Sequence, residues 1–158
     1  MEPGNSTLAA YNGGIHTTEN AAMSIATELA RTITRTTHDQ LPALALDHAR
    51  MIIASTLASA AAGRNIRSAA VVRALAREQG GAPEASIWFD SSAKIPAVNA
   101  ARTNALASDA AASDDSDLRT IAHLGTQLTS CTLALAERHN ISGDEVLRAI
   151  VQIGRAHV

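Results

Sequence analysis

Apolar residues recur at helical rather than alternating spacing along most of this chain, and glycine or proline interrupts them at regular intervals. A first helix is expected from Asn20, where Met23, Ile25, Ala26, Leu29, Ala30 and Ile33 cover more than one face. The β-branched run Thr32, Thr34, Thr36 and Thr37 weakens its end. Pro42 suits the first turn of a second helix reaching about Ala62, with Leu46, Ile53, Leu57 and Ala60 at helical spacing and Gly63 as a stop. Side chains from Leu57 to Ala62 are nearly all small, so this span can lie deep between other helices.

A third helix, Ser68 to Gln79, takes Asn65 or Ser68 as N-cap and carries an apolar stripe of Val71, Val72, Leu75 and Ala76. Gly80, Gly81 and Pro83 end it. Ala85 to Phe89 is the one β-prone segment, either irregular or paired with something outside the chain. Further helices follow at about Pro96–Ala111, Leu124–Arg138 and Gly143–Gln152, the last with Ser142 as N-cap and Glu145 in its first turn. The pattern predicts an all-α domain over residues 20–152. Residues 1–19 hold Pro3, Gly4, Asn5, Gly13 and Gly14 without periodicity and read as a mobile leader.

Composition narrows the picture. A chain of 158 residues is the usual size of one domain. It is 46% hydrophobic but only 2% aromatic, so Ala, Leu, Ile and Val must build the core. The formal charge of −2 and scattered basic residues leave no footprint for nucleic acid or anionic membrane. No apolar run approaches the roughly 18 residues of a membrane span, and no signal pattern opens the chain, so a cytoplasmic location is expected. The single cysteine, Cys131, excludes disulfide scaffolds and Cys-based zinc sites and is expected to be a buried small hydrophobe.

Candidate chemistry gathers between the fourth and fifth helices. Asp114, Asp115 and Asp117 crowd one turn, and His123 lies six residues beyond Asp117 at the start of the next helix. Three readings are open for the turn: a solvated loop or cap, a proton-transfer group raised by its neighbours, or a divalent-cation site without the glycine of a calcium loop. The helix dipole is expected to keep His123 neutral. His48 reads as a packed or half-exposed helix residue, and His16, His38 and His139 as loop or helix-end residues without partners.

From about Leu41 onward, roughly three quarters of the chain, the sequence resembles the N-terminal helical domain of the MmgE/PrpD family. That family includes 2-methylcitrate dehydratase, cis-aconitate decarboxylase and iminodisuccinate epimerase. The resemblance rests on four landmarks in order. They are Leu41-Pro42 with the helix ending Ser55 to Gly63, Ser86-Ile87-Trp88, Ala100 to Asn104, and Asp114-Asp115-Ser116 followed by His123 and Ala134 to Glu137.

The resemblance implies a partial helical domain without its smaller α/β lid. It also implies a pocket for small di- or tricarboxylic acids, no metal or cofactor, and a homodimer in the full-length parent. By position Asp115, Ser116 and His123 match pocket residues, His123 the proton-transfer histidine. His123 and Asp115 are therefore the candidate catalytic residues, and Ser116 and Asp114 the candidate substrate-binding ones. Departures stand at Ser55, Ala58, Ala105, Asp109, Ala112 and Leu124, where the family usually carries Asp, Gly, Gly, His, Asp and Pro. They point to a divergent subgroup with another substrate or reaction, or to lost activity. The family pattern fails after Gln152, and residues 153–158 read as a translated sequencing adapter on a truncated chain. The expected fragment is inactive alone and associates through uncovered helix faces. A non-enzymatic helical interaction module is the alternative.

Overall fold

A computed structural model describes residues 24–116 and 121–153. The expected leader (1–19), Asn20, His16, Asp117 and residues 154–158 lie outside that range. The chain falls into two compact units, Met1–Thr34 and Arg35–Val158.

In the first unit, α1 (Ile25–Arg35) opens on Ser24, whose hydroxyl accepts from the Thr27 backbone N–H at 3.2 Å. Thr32 and Thr34 turn their hydroxyls back onto the carbonyls of Glu28 and Ala30. No side chain of α1 is buried.

The second unit is helical, as the periodicity predicts. After a 3-10 turn at His38–Gln40 come α2 (Ala43–Gly63), α3 (Arg67–Gln79), α4 (Ala97–Ala110), α5 (Leu124–His139) and α6 (Gly143–Ile153). Pro42 and Pro96 occupy the N-caps of α2 and α4. Ser142 caps α6 through the Glu145 N–H, and Asn140 closes α5 at φ 52°, in the left-handed region that Asn tolerates. α4 is the hub, packed on α2, α3 and α5, while α6 closes against α2 and α5.

Two apolar clusters hold the unit together. One joins Ala45, Leu46 and Ala49 of α2 to Val146, Ile150 and Val151 of α6. The other joins Ala76, Ala85, Ile87, Ile95, Ala97, Ala100 and Ala134 around the α3–α4–α5 contact. Between them the contact surfaces of α2, α4 and α5 are polar: Thr56, Ser59, Thr103, Asn104, Ser108, Thr126, Thr129 and Ser130 are all buried. Hydroxyl side chains are small enough to let backbones approach, and several bond within their own helix, Ser130 to the Thr126 carbonyl and Ser108 to that of Ala105.

Several expectations are corrected. Gly63 is the last residue of α2, where a stop was expected, although the C-cap residue Arg64 is still right-handed. Its role is steric: a Cβ there would sit 2.0 Å from the Ala107 carbonyl oxygen. Neither Asn65 nor Ser68 caps α3, whose N-cap is Ile66 without a side-chain bond. The predicted stripe of α3 faces outward in part, Val71 and Leu75 being exposed, because α3 docks on α4 through Ala69 and Ala76. The β-prone segment forms no strand, in keeping with its irregular reading, and it makes one antiparallel bridge, Ala85 to Ile95, within the chain. Cys131 is exposed rather than buried, lying on the open Gln127–Cys131–Leu135 face of α5 while Thr126, Thr129, Ser130 and Ala134 are buried. His38 has two carboxylates nearby, its ring nitrogens lying 3.5 Å from Asp39 and 3.7 Å from Asp144, but its buried Nε2 makes no hydrogen bond to a described residue.

Candidate functional site

The turn after α4 is placed by hydroxyls. Ser59 of α2 donates to the Ser113 carbonyl at 3.0 Å, and Ser113 donates back to the Ser59 hydroxyl at 3.2 Å. The reversal passes through Ala112 at φ 50°, a left-handed conformation unusual for alanine. Gly125, in the first turn of α5, leaves room on the other side: a Cβ there would meet Asp115 Cβ at 3.0 Å and Thr56 Oγ1 at 3.2 Å. Between these supports the chain swings Asp114 inward, with its side chain only 3% exposed.

Asp114 faces the start of α5. Its Oδ2 lies 2.7 Å from His123 Nδ1 and accepts from Thr126 Oγ1 at 2.9 Å. Ser108 Oγ lies 3.0 Å behind Thr126 Oγ1. His123 is the N-cap residue of α5, with its side chain 44% exposed. Asp109, at the end of α4, brings Oδ1 to 3.6 Å from the same Nδ1, and Ser116 Oγ lies 3.4 Å from it. A buried carboxylate needs such donors, and His123 and Thr126 supply them.

The electrostatics run opposite to the helix-dipole expectation. The hydrogen bond that His123 makes to Asp114 raises its pKa above the ordinary value and Asp114's charge adds to this; burial opposes them, and Asp109 adds a still smaller upward pull. A helix N-terminus disfavours a cation, but a carboxylate at 2.7 Å outweighs it.

Of the sequence candidates, the structure brings Asp114, Ser116 and His123 together and adds Asp109. Asp115 is exposed and makes no side-chain hydrogen bond among the described residues, its Cβ packing toward Gly125 instead. Thr126 and Ser108 were not anticipated. Their signal was the clustering of hydroxyl residues on the facing sides of α4 and α5, which reads as ordinary polarity without the helix pairing. Asp109, Asp114 and His123 each offer a ligand atom within 4.8 Å of the others, close enough for a divalent cation to bridge them. Such a cation would displace the His123–Asp114 hydrogen bond, because a ligating nitrogen carries no proton.

A second polar group lies elsewhere in the unit. Asn104, 2% exposed, accepts from the Trp88 N–H at 2.9 Å and donates to the Ser86 carbonyl at 3.0 Å, fastening the segment before α4 to that helix. Glu137 accepts from the Ser86 N–H and hydroxyl and pairs with Lys94 at 3.0 Å. Burial alone would raise its pKa, but the Ser86 and Lys94 interactions prevail and hold the carboxyl below its usual range. Two open grooves flank the Gln127–Cys131–Leu135 face of α5, with volumes of about 370 and 470 Å³. Asp109, Asp114, Ser116 and His123 line neither.

Among the described residues no helix is long and apolar enough to cross a membrane. No curated protein and no solved structure matches the chain. The family model of the MmgE/PrpD N-terminal domain matches residues 27–152, a span that takes in α2 to α5 and the Asp114–His123 pair, and the chain therefore belongs to the MmgE/PrpD family.

Proposed function

We propose that the Asp114–His123 pair is the proton-transfer element of a pocket for small di- or tricarboxylic acids, working in dehydratase-, decarboxylase- or epimerase-type chemistry. The observation that carries this reading is the 2.7 Å contact between a carboxylate withdrawn from solvent and a half-exposed imidazole, in a chain of this family. Asp114 orients the ring and stabilises the imidazolium that forms when His123 takes a proton. The exposed part of the ring is then free to exchange that proton with a substrate carbon or leaving hydroxyl. Ser116 is placed to orient a substrate carboxylate, and Asp115, open to solvent, is the second candidate carboxylate.

The departures at Asp109 and Ala112 leave the substrate and reaction undefined within that class. Homodimerisation belongs to the same family-based reading, whereas a cytoplasmic location and the boundaries of the leader and the helical domain rest on the sequence pattern alone. The test is the His123 ring resonance during titration with cis-aconitate, citrate or 2-methylcitrate. A saturable shift in the wild-type chain, weakened in Asp114→Asn and unchanged by acetate, supports the proposal. No shift with any polycarboxylate overturns it. Turnover by the 158-residue chain, lost in His123→Ala, would contradict the expectation that this chain is inactive alone.

The second reading, an interaction module, is favoured by the exposure of Val98 (75%), Leu135 (48%) and Ile153 (64%) beside the two grooves. Concentration-dependent sedimentation that Leu135→Glu abolishes would support it.

A further inference from the structure

We infer that Thr126, backed by Ser108, is a positioning residue that fixes the orientation of Asp114 and thereby commits His123 to the tautomer protonated at Nδ1. The inference deepens the proposed role of His123 and rests on that role for its significance, although its test needs no substrate.

An ionised carboxylate cannot donate, so the hydroxyl proton of Thr126 must point at Asp114 Oδ2, 2.9 Å away. The 3.0 Å contact between Ser108 and Thr126 then requires Ser108 to donate. Ser108 is fully buried and Thr126 is 4% exposed, so water cannot readily replace either partner. Ser108 has a competing acceptor in the Ala105 carbonyl at 2.9 Å, so its support of Thr126 is shared and its loss should matter less.

Asp114 Oδ2 therefore receives Thr126 from the body of α5 and His123 from its N-cap, three residues earlier on the same helix. A carboxylate pinned by Thr126 presents its remaining lone-pair direction to His123. Because Asp114 can only accept, the ring must carry its proton on Nδ1. Asp109 Oδ1 and Ser116 Oγ also approach that nitrogen, at 3.6 and 3.4 Å. Every described polar neighbour of the ring thus addresses Nδ1, and Nε2 is left with the lone pair. A free imidazole favours the opposite tautomer, so the assignment reports on the surroundings and not on the ring.

The experiment is a long-range proton–nitrogen correlation spectrum of the 158-residue chain above the His123 pKa, with its peak identified by loss in His123→Gln. Wild type should show neutral His123 protonated on Nδ1. Thr126→Val, which keeps the branched shape but removes the donor, should shift the population to mostly Nε2–H, while Thr126→Ser retains the wild-type pattern. Ser108→Ala should move it in the same direction by less. A purely structural role for Thr126 would lower the unfolding midpoint and leave the tautomer untouched. Wild-type His123 protonated on Nε2, or folded Thr126→Val with the wild-type pattern, overturns the inference. Should Thr126→Val fail to fold, Ser108→Ala identical to wild type overturns it as well. A failed polycarboxylate titration with the predicted tautomers would instead sink the proposed function and spare this inference.

Discussion

Replacing Gly63 by alanine sets two effects of opposite sign against each other. Alanine is favoured over glycine within a helix by about 1 kcal/mol, and less at a final turn. Against that, the new methyl would lie 2.0 Å from the Ala107 carbonyl oxygen and 3.1 Å from the Ala111 nitrogen, both backbone atoms of α4 or its cap. Ordinary contact begins at 3.4 Å, so the helices must part by about 1.4 Å, and no side chain can swing aside instead. A gap of that order forfeits a quarter or more of the dispersion between facing atoms. It would do so along the α2–α4 seam that buries Thr56, Ser59, Thr103 and Ser108.

Overpacking of this kind costs about 1–3 kcal/mol, and more when only backbone can yield. The expected net loss is about 2–3 kcal/mol, read as the urea midpoint followed by far-ultraviolet circular dichroism. Gly125→Ala is the control. Its methyl would meet Asp115 Cβ, Thr56 Oγ1 and Ile52 Cγ2 at 3.0–3.3 Å, all side-chain atoms, so a loss of about 1 kcal/mol is expected. A Gly63→Ala chain as stable as wild type, or more so, would refute the close α2–α4 approach and return Gly63 to the role of a simple helix stop.

Other expectations are as direct. Asn104→Ala strands the Trp88 N–H and the Ser86 carbonyl, at about 1–3 kcal/mol for each group left unpaired. A chemical-denaturation loss of about 2–4 kcal/mol is expected, and one below about 1 kcal/mol would show that the fastening is dispensable. Cys131, being exposed, should react stoichiometrically with a thiol reagent in the native state; labelling that requires denaturant would restore the buried reading. Glu137 has a folded pKa below its ordinary 4.5, so its stabilisation is present above that value and fades as pH falls through the lowered one. Glu137→Gln should therefore be less stable than wild type near neutrality, with the gap closing in acid; a gap independent of pH would contradict the ion-pair account.

The helices were legible because good helix formers such as Ala and Leu fill them and Pro42, Gly80, Gly81, Pro96, Asn140 and Gly143 punctuate the chain. Which face of each helix is buried was less so. Val71 and Leu75 look like core and Cys131 like filler, yet the neighbours of α3 and α5 take up their small faces instead. The Ser and Thr layer was invisible for the same reason, since hydroxyls become interior only when two helices approach closely enough to exclude water. The candidate site was half legible. The family landmarks located the acidic turn and His123, but adjacent Asp114 and Asp115 cannot be told apart by spacing. The Ser59–Ser113 bonds and the left-handed Ala112 decide which of them turns inward. Asp109 stood out in sequence only as a departure, whereas in space it still faces His123.

On this account His123 and Asp114 act as one coupled pair. Nuclear magnetic resonance titration of His123 in the wild-type chain and in Asp114→Asn tests it most directly. The pair predicts a wild-type pKa above the ordinary 6.5 of histidine that loses its elevation when the Asp114 charge is removed, because burial then outweighs the weaker pull of Asp109. A wild-type His123 titrating at or below 6.5, or a raised value unmoved in a folded Asp114→Asn chain, would contradict it.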